Sequence, residues 1–176
     1  MHIKYVESEK IAKFIIKWKL LVSKYDLYFL YPPLTIVYTS PPMSEKMLKF
    51  VEIGQQNPPN RDKNSRKEDF NEIYSEFIKG KANEQSSRCS QCGVPFCQVH
   101  CPLSNNIPDW LKLTAEGRHE EAYQLSQSTN NMPEVCGRIC PQDRLCEGNC
   151  VIEQSGHGTV TIGSIEKYIT ETAWEN

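Results

Sequence analysis

The sequence predicts a mainly α-helical fold wrapped around thiolate-bound metal, and three observations carry that prediction. All eight cysteines lie between Cys89 and Cys150. Elsewhere apolar residues recur at three- and four-residue intervals, which places them on one face of a helix. No stretch alternates apolar and polar residues with a period of two for long enough to argue a sheet.

The cysteines form two runs. CSQCGVPFCQVHC (Cys89, Cys92, Cys97, Cys101) reads C-x2-C-x4-C-x3-C and is followed by proline; CGRICPQDRLCEGNC (Cys136, Cys140, Cys146, Cys150) reads C-x3-C-P-x4-C-x3-C. A cubane iron–sulfur cluster needs four soft, anionic donors converging on one small volume. Thiolates on a tight loop supply three, and a distant residue closes the cage. In the bacterial ferredoxin run the cysteine before proline ligates the other cluster. Cys101-Pro102 and Cys140-Pro141 both carry that signature. If Cys101 crosses over, the two quartets interlace and the cysteine-free stretch 102–135 is pinned at both ends.

Two other uses of eight cysteines compete. Four disulfides would suit a small secreted domain, but the chain carries no convincing signal peptide. All-cysteine zinc sites usually pair two C-x2-4-C hooks. Here C-x4-C-x3-C-P puts three or four thiolates on one loop and adds a proline that zinc does not need.

The elements follow in chain order. With 176 residues, 39% of them hydrophobic, the chain is long enough for one domain plus an appendage, and metal can cross-link it where burial falls short. A formal net charge of -2 gives no support for nucleic-acid binding. Residues 11–38 are aromatic and apolar, but lysines interrupt them, and Pro32, Pro33, Pro41 and Pro42 break the longest uncharged run. A membrane span is therefore not expected, and a cytoplasmic location is. An amphipathic surface helix over 11–22 is one reading of the lysine and aromatic mixture. The favoured expectation is that translation starts at Met43 or Met47 and that 1–42 is a poorly ordered or mis-assigned extension.

Residues 43–66 read as a polar, extended arm, with Pro58-Pro59 and several asparagines, and as the place for partner contacts. From 67 the pattern turns helical: Phe70, Ile73, Tyr74, Phe77 and Ile78 share one face of a helix expected to end near Gly80. A second short helix over 81–88 delivers the chain into Cys89. Arg88 is expected in solvent, although beside the first thiolate it could offset cluster charge. Asn106 is the expected N-cap of a helix over 107–116, with Pro108 in its first turn and Gly117 at its end. A further helix covers 119–126, and Asn130, Asn131 and Pro133 are read as breaks. A loop is expected over 151–158 and a last helix over 162–174, with Ile165, Ile169 and Thr172 on one face. The four histidines never pair at metal-ligand spacing and are each expected at the surface. No nucleotide-binding fingerprint is present.

CSQCGVPFCQVHCPLSNNIPDWLKL, NNMPEVCGRICPQDRLCEGNC and TVTIGSIEKYITETAWE together resemble the N-terminal iron–sulfur domain of the NADPH-dependent glutamate synthase small chain. A related domain opens dihydropyrimidine dehydrogenase. The resemblance runs over about 50–176 and implies a helical ferredoxin-like domain over 67–176 that holds two 4Fe–4S clusters. Carried over by position, it implies that Cys89, Cys92, Cys97 and Cys150 hold one cluster and Cys101, Cys140 and Cys146 the other. The remaining place is implied to come from the last helix, at Glu166. Cys136 is left without an assigned iron, and spacing alone does not exclude it as the eighth ligand.

In the family a flavin- and NADPH-binding domain follows directly and a glutamate-forming large chain is the partner. The expectation is therefore an electron-relay domain, with FAD and NADPH belonging only to the downstream domain. The chain is then expected to be a fragment or a truncated product that does not turn over alone. Its alternatives are a metal-stapled docking module for the large chain, or the iron–sulfur domain of a related pyrimidine dehydrogenase-type flavin oxidoreductase.

Overall fold

Helices of eight residues or more supply most of the hydrophobic core, and the cysteines lie on the short helices and turns between them. The computed structural model describes residues 46–77 and 79–175, all within a unit spanning Ser40–Asn176. Expectations for 1–42 lie outside the described residues. After a 3-10 turn at Lys49–Val51 the helices are α1 (Ser65–Glu68), α2 (Lys79–Ser86), α3 (Phe96–Val99) and α4 (Ile107–Ala115). They continue with α5 (His119–Gln127), α6 (Pro133–Ile139), α7 (Val151–Gln154) and α8 (Ile162–Glu175). The fold is mainly α, and among the described residues the only β pairing is an isolated antiparallel bridge between Asn60 and Tyr74.

Helix α4 forms where expected. Pro108 sits in its first turn, where a missing N–H leaves no bond unmade, and Gly117 ends the segment at φ +76°. Its periodic residues Ile107, Trp110, Leu111 and Ala115 are all buried. The Trp110 indole N–H donates to Asn105 Oδ1 at 2.9 Å, and Asn105 Nδ2 donates to Ser126 O at 3.1 Å, which ties α4 to the end of α5 without an unmet polar group. Ile162, Ile165 and Ile169 give α8 its buried stripe, and α8 packs on α2, α4, α5 and α6. Each such isoleucine contributes about 1.5–3 kcal/mol on burial. Among the described residues no helix is long and apolar enough to cross a membrane.

Helices α6 and α8 approach unusually closely at Gly137. A Cβ there would lie 2.8 Å from the Lys167 amide nitrogen and 2.9 Å from the Gly163 carbonyl oxygen, both of them backbone. Gly137→Ala, which in an open helix would stabilise by about 1 kcal/mol, should therefore destabilise by about 1–3 kcal/mol, because neither helix can yield without disturbing its packing. Thermal unfolding of the two proteins measures the sign.

Four local expectations are corrected. The stripe over 70–78 is not a helix: only one turn forms at Ser65–Glu68, and Phe70, Ile73 and Tyr74 are exposed. Phe77 is buried, and Ile78 lies outside the described residues. Long-range bonds hold this segment extended instead. Arg61 N–H donates to Ile73 O at 2.9 Å, Ser75 N–H to Pro59 O at 2.9 Å, and the Arg61 guanidinium grips Asp69. Glu72 is drawn to Arg138 and Lys167, on α6 and α8. Gly80, expected as a stop, lies inside α2.

Pro133 opens α6 rather than breaking the chain, so Cys136 sits on a helix. Part of the expected 151–158 loop is α7. The first part of the arm is fastened to the core. Leu48 and Lys49 N–H donate to the Cys89 and Ser87 carbonyls at 3.1 Å each, and Gln85 bonds both Gln56 N–H and Gly54 O. Met47 and Phe50 pack against the core as well.

Candidate metal centre

Two cavities divide the eight cysteines evenly. Cys89, Cys92, Cys97 and Cys150 line a narrow one, walled by Leu111, Ile152 and Ile162. Cys101, Cys136, Cys140 and Cys146 line a second of about 120 Å³, together with Glu166 and Asn130. Cys150, last in sequence, thus joins the first three, and Cys101 joins the second run. A larger groove of about 580 Å³ elsewhere, bordered by Glu72, Arg138, Lys167 and Glu171, contains no cysteine.

Local structure explains how each thiol is aimed. Cys89 follows α2, Cys97 lies on α3, and Cys150 caps α7. Between Cys89 and Cys92 the chain turns through Gln91 at φ +52°, a left-handed conformation that costs a non-glycine residue about 1–2 kcal/mol. That turn directs the Gln91 backbone N–H to Cys89 Sγ at 3.4 Å, and its side-chain Nε2 reaches the same sulfur at 3.3 Å and Pro108 O at 2.7 Å. Ser90 Oγ lies 3.0 Å from Cys92 Sγ. In the second cavity Cys136 comes from the middle of α6, Cys140 from its C-cap, Cys146 from the following turns and Glu166 from α8.

The electrostatics match a donor set meant for a cation. All eight cysteines are free. Burial, with the charge of neighbouring thiols added, pushes Cys89 up to about 11 and Cys97 up to about 12. Burial and then Cys136 push Cys140 up to about 11, and burial and then Glu147 raise Cys146 further still. Four thiolates side by side in an apolar pocket repel one another and lack solvent. Bound iron reverses that penalty, because a coordinating thiol is deprotonated outright. Four thiols per cavity is also the donor complement of a 4Fe–4S cubane. Among the described residues no three His, Cys, Asp or Glu side chains converge tightly enough for a single ion, whereas a cubane spreads its ligands over a wider cage.

Glu166 is 8% exposed, and its Oε1 accepts from Asn130 Nδ2 at 3.1 Å. Burial raises its pKa to about 7, with Asn130 opposing. Glu147, beside Cys146, is also raised, by burial, while its Oε1 accepts from Gly163 N–H at 3.0 Å. The second cavity therefore presents five donors for four places: Cys101, Cys136, Cys140, Cys146 and Glu166.

Sequence reasoning missed several contributors. Arg88 is completely buried rather than solvated, and the one signal was its place directly before Cys89. Asn130, read as a break, is the partner of Glu166, and nothing in its local sequence announces that role. His119 is not a plain surface residue. Neither ring nitrogen has a hydrogen bond, its ring meets Tyr168 edge-on at 5.5 Å, and burial lowers its pKa.

Residues 66–176 match the model of the family described as dihydropyrimidine dehydrogenase domain II, 4Fe-4S cluster. The chain is 70% identical over 132 residues to the glutamate synthase [NADPH] small chain of Azospirillum brasilense, covering 75% of this chain and 27% of that one. It is 50% identical over 133 residues to the Escherichia coli K12 small chain, covering 76% of this chain and 28% of that one. A putative oxidoreductase of Escherichia coli K12, AegA, is 49% identical over 110 residues, 62% of this chain and 16% of that one. The chain thus spans about a quarter of the length of the small chains it matches.

Proposed function

The chain belongs to the dihydropyrimidine dehydrogenase domain II 4Fe-4S cluster family, an iron–sulfur domain homologous to the glutamate synthase small chain, and on that premise we propose that it relays electrons through two 4Fe–4S clusters. The observation that carries this reading is the separation of eight free thiols into two cavities, each closed by cysteines from both runs or from distant elements.

Cys89, Cys92, Cys97 and Cys150 hold one cluster. Cys101, Cys140 and Cys146 hold the other, with Glu166 in the fourth place and Cys136 as its competitor. A cluster held by these residues would supply one-electron redox chemistry, at a potential set by charge, sulfur hydrogen bonds and solvent access. The protein's part is to supply those settings. Ile152, Ile162 and Leu111 keep water from the first cavity, and Gln91 directs two N–H donors at Cys89. The cluster domain is assigned to 67–176, with the arm of 43–66 before it and 1–42 outside it.

As a part of a larger enzyme, the domain would take electrons originating at NADPH from a flavin (FAD) module and pass them toward a glutamate-forming large chain, in the cytoplasm. The names of the small-chain relatives support the NADPH and glutamate synthase parts of that setting. Purified without oxygen, the protein should be brown and contain about eight iron and about eight acid-labile sulfide per chain, four of each per cubane. A colourless protein with stoichiometric zinc would overturn the relay in favour of a metal-stapled docking module.

A further inference from the structure

Arg88 is a buried cation without a carboxylate partner. It has no exposed surface, and its guanidinium donates only to backbone carbonyls: Ile53 at 2.9 Å, His157 at 2.8 Å, Gly158 at 3.0 Å, and Thr159. Among the described residues no ion pair includes it. Four carbonyl dipoles satisfy its N–H groups but leave a unit charge uncancelled, and an uncompensated buried charge costs several kcal/mol in general. The negative groups that act on it are Cys150 and then Glu153. Cys150 lines the first cavity, and Cys89, the adjoining residue, lines it too.

The second cavity has the opposite setting. Glu166 lines it, and Glu147, half-buried, adjoins Cys146 in the chain. The cations carried by α6 and α8, Arg138 and Lys167, pair with Glu72 and Glu171 at the surface. The side-chain and backbone donors placed on sulfur by Gln91, and Ser90 beside Cys92, likewise belong to the first cavity.

We propose that Arg88 is the built-in counter-charge of the Cys89, Cys92, Cys97 and Cys150 centre, and that it holds this centre at a higher reduction potential than the other. The inference rests on the two-cluster reading above. A cubane bound by four thiolates is an anion, and reduction adds a further negative charge. A fixed, buried guanidinium next in the chain to Cys89 stabilises the reduced form more than the oxidised one. The buried Glu166 carboxyl at the second centre acts in the reverse sense. An electron shared between the two centres then rests on the first.

The test is an EPR-monitored redox titration of the anaerobically purified protein, with Cys97→Ser used to identify the signal of the first centre. Arg88→Gln should make reduction of that centre about tenfold less favourable, a fall of about 59 mV for a one-electron couple, and leave the second signal in place. Arg88→Lys keeps the charge while losing most of the carbonyl bonds. It should lower the melting temperature yet hold the potential near the wild-type value. The proposal is overturned if Arg88→Gln leaves the potential unmoved, if both signals move together, or if Arg88→Lys falls as far as Arg88→Gln. Should Arg88→Gln fail to retain iron, the wild-type order decides: a first centre reduced at the higher potential supports the proposal, and one reduced at the lower potential overturns it. A wild-type protein without iron would overturn the relay reading and this inference with it; a brown protein with unmoved potentials overturns this inference alone.

Discussion

Glu166→Ala should alter the EPR signal of one reduced cluster and lower its iron, from about eight per chain toward about four, while the other cluster is untouched. The residue is 8% exposed and has a single side-chain partner, Asn130. A carboxylate buried with one amide donor is poorly compensated, and coordination to iron in the cavity it lines would supply the missing positive charge. Oxygen is a harder donor than sulfur, so this bond should be the weakest of the four and the most exchangeable. Glu166→Gln keeps an oxygen in place and should retain more iron than Glu166→Ala.

Cys136→Ala is the necessary comparison, because its thiol lines the same cavity and is the softer donor. If Glu166→Ala leaves spectra and potentials unchanged while Cys136→Ala loses one cluster, the second centre is all-cysteine and Glu166 is only its buried neighbour. The two variants address one place in the cage. Their effects therefore need not add: if each donor can replace the other, the double variant should lose more iron than either single one, whereas if only one of them ligates, the double variant should match that single variant.

How much of this was legible in the sequence depends on the range of the forces involved. The crossing of Cys101 to the second cavity was suggested by its Cys-Pro signature, but Cys140 has the same signature and stays with its own run, and the crossing of Cys150 was implied only by the family resemblance. The α4 and α8 stripes were legible directly: Trp110, Leu111, Ile165 and Ile169 repeat with the helix period, and the core they enter lies on one side. Phe70, Ile73 and Tyr74 had the same period and yet form no helix. There the decision belonged to Arg61 with Asp69, and to Glu72 with Arg138 and Lys167, and no local window contains the last two pairings.

Arg88 failed for a related reason. An arginine is rarely buried, and the carbonyls that accept from it lie 35 residues upstream and 69 to 71 downstream. Pro133 shows a smaller ambiguity, since proline both ends and opens helices, and only the packing of α6 on α8 chooses between them.

Removing iron with a chelator under anaerobic, reducing conditions should cost more stability than any single substitution, on the order of 5 kcal/mol or more, which is comparable with the whole stability of an ordinary domain. The cysteine-bearing elements cannot stand alone. Helices α3 and α7 have four residues each and α6 has seven, whereas an isolated helix shorter than about 12–15 residues is marginal in water. The turns at 141–149 bury little, and Ile139 and Met132 are exposed, so hydrophobic burial does not replace the metal there. The segments around 89–104 and 130–158 should therefore lose their structure first, while α4, α5 and α8 keep a residual core around Trp110 and Ile165. Circular dichroism should record a partial loss of helix. Trypsin should cut the iron-free protein after Arg138, which in the folded protein is held on α6 by Glu72 and Glu171 and by its own bond to Glu134 O. An iron-free protein with the same melting temperature and the same tryptic pattern would show that the clusters are passengers in a fold that stands without them.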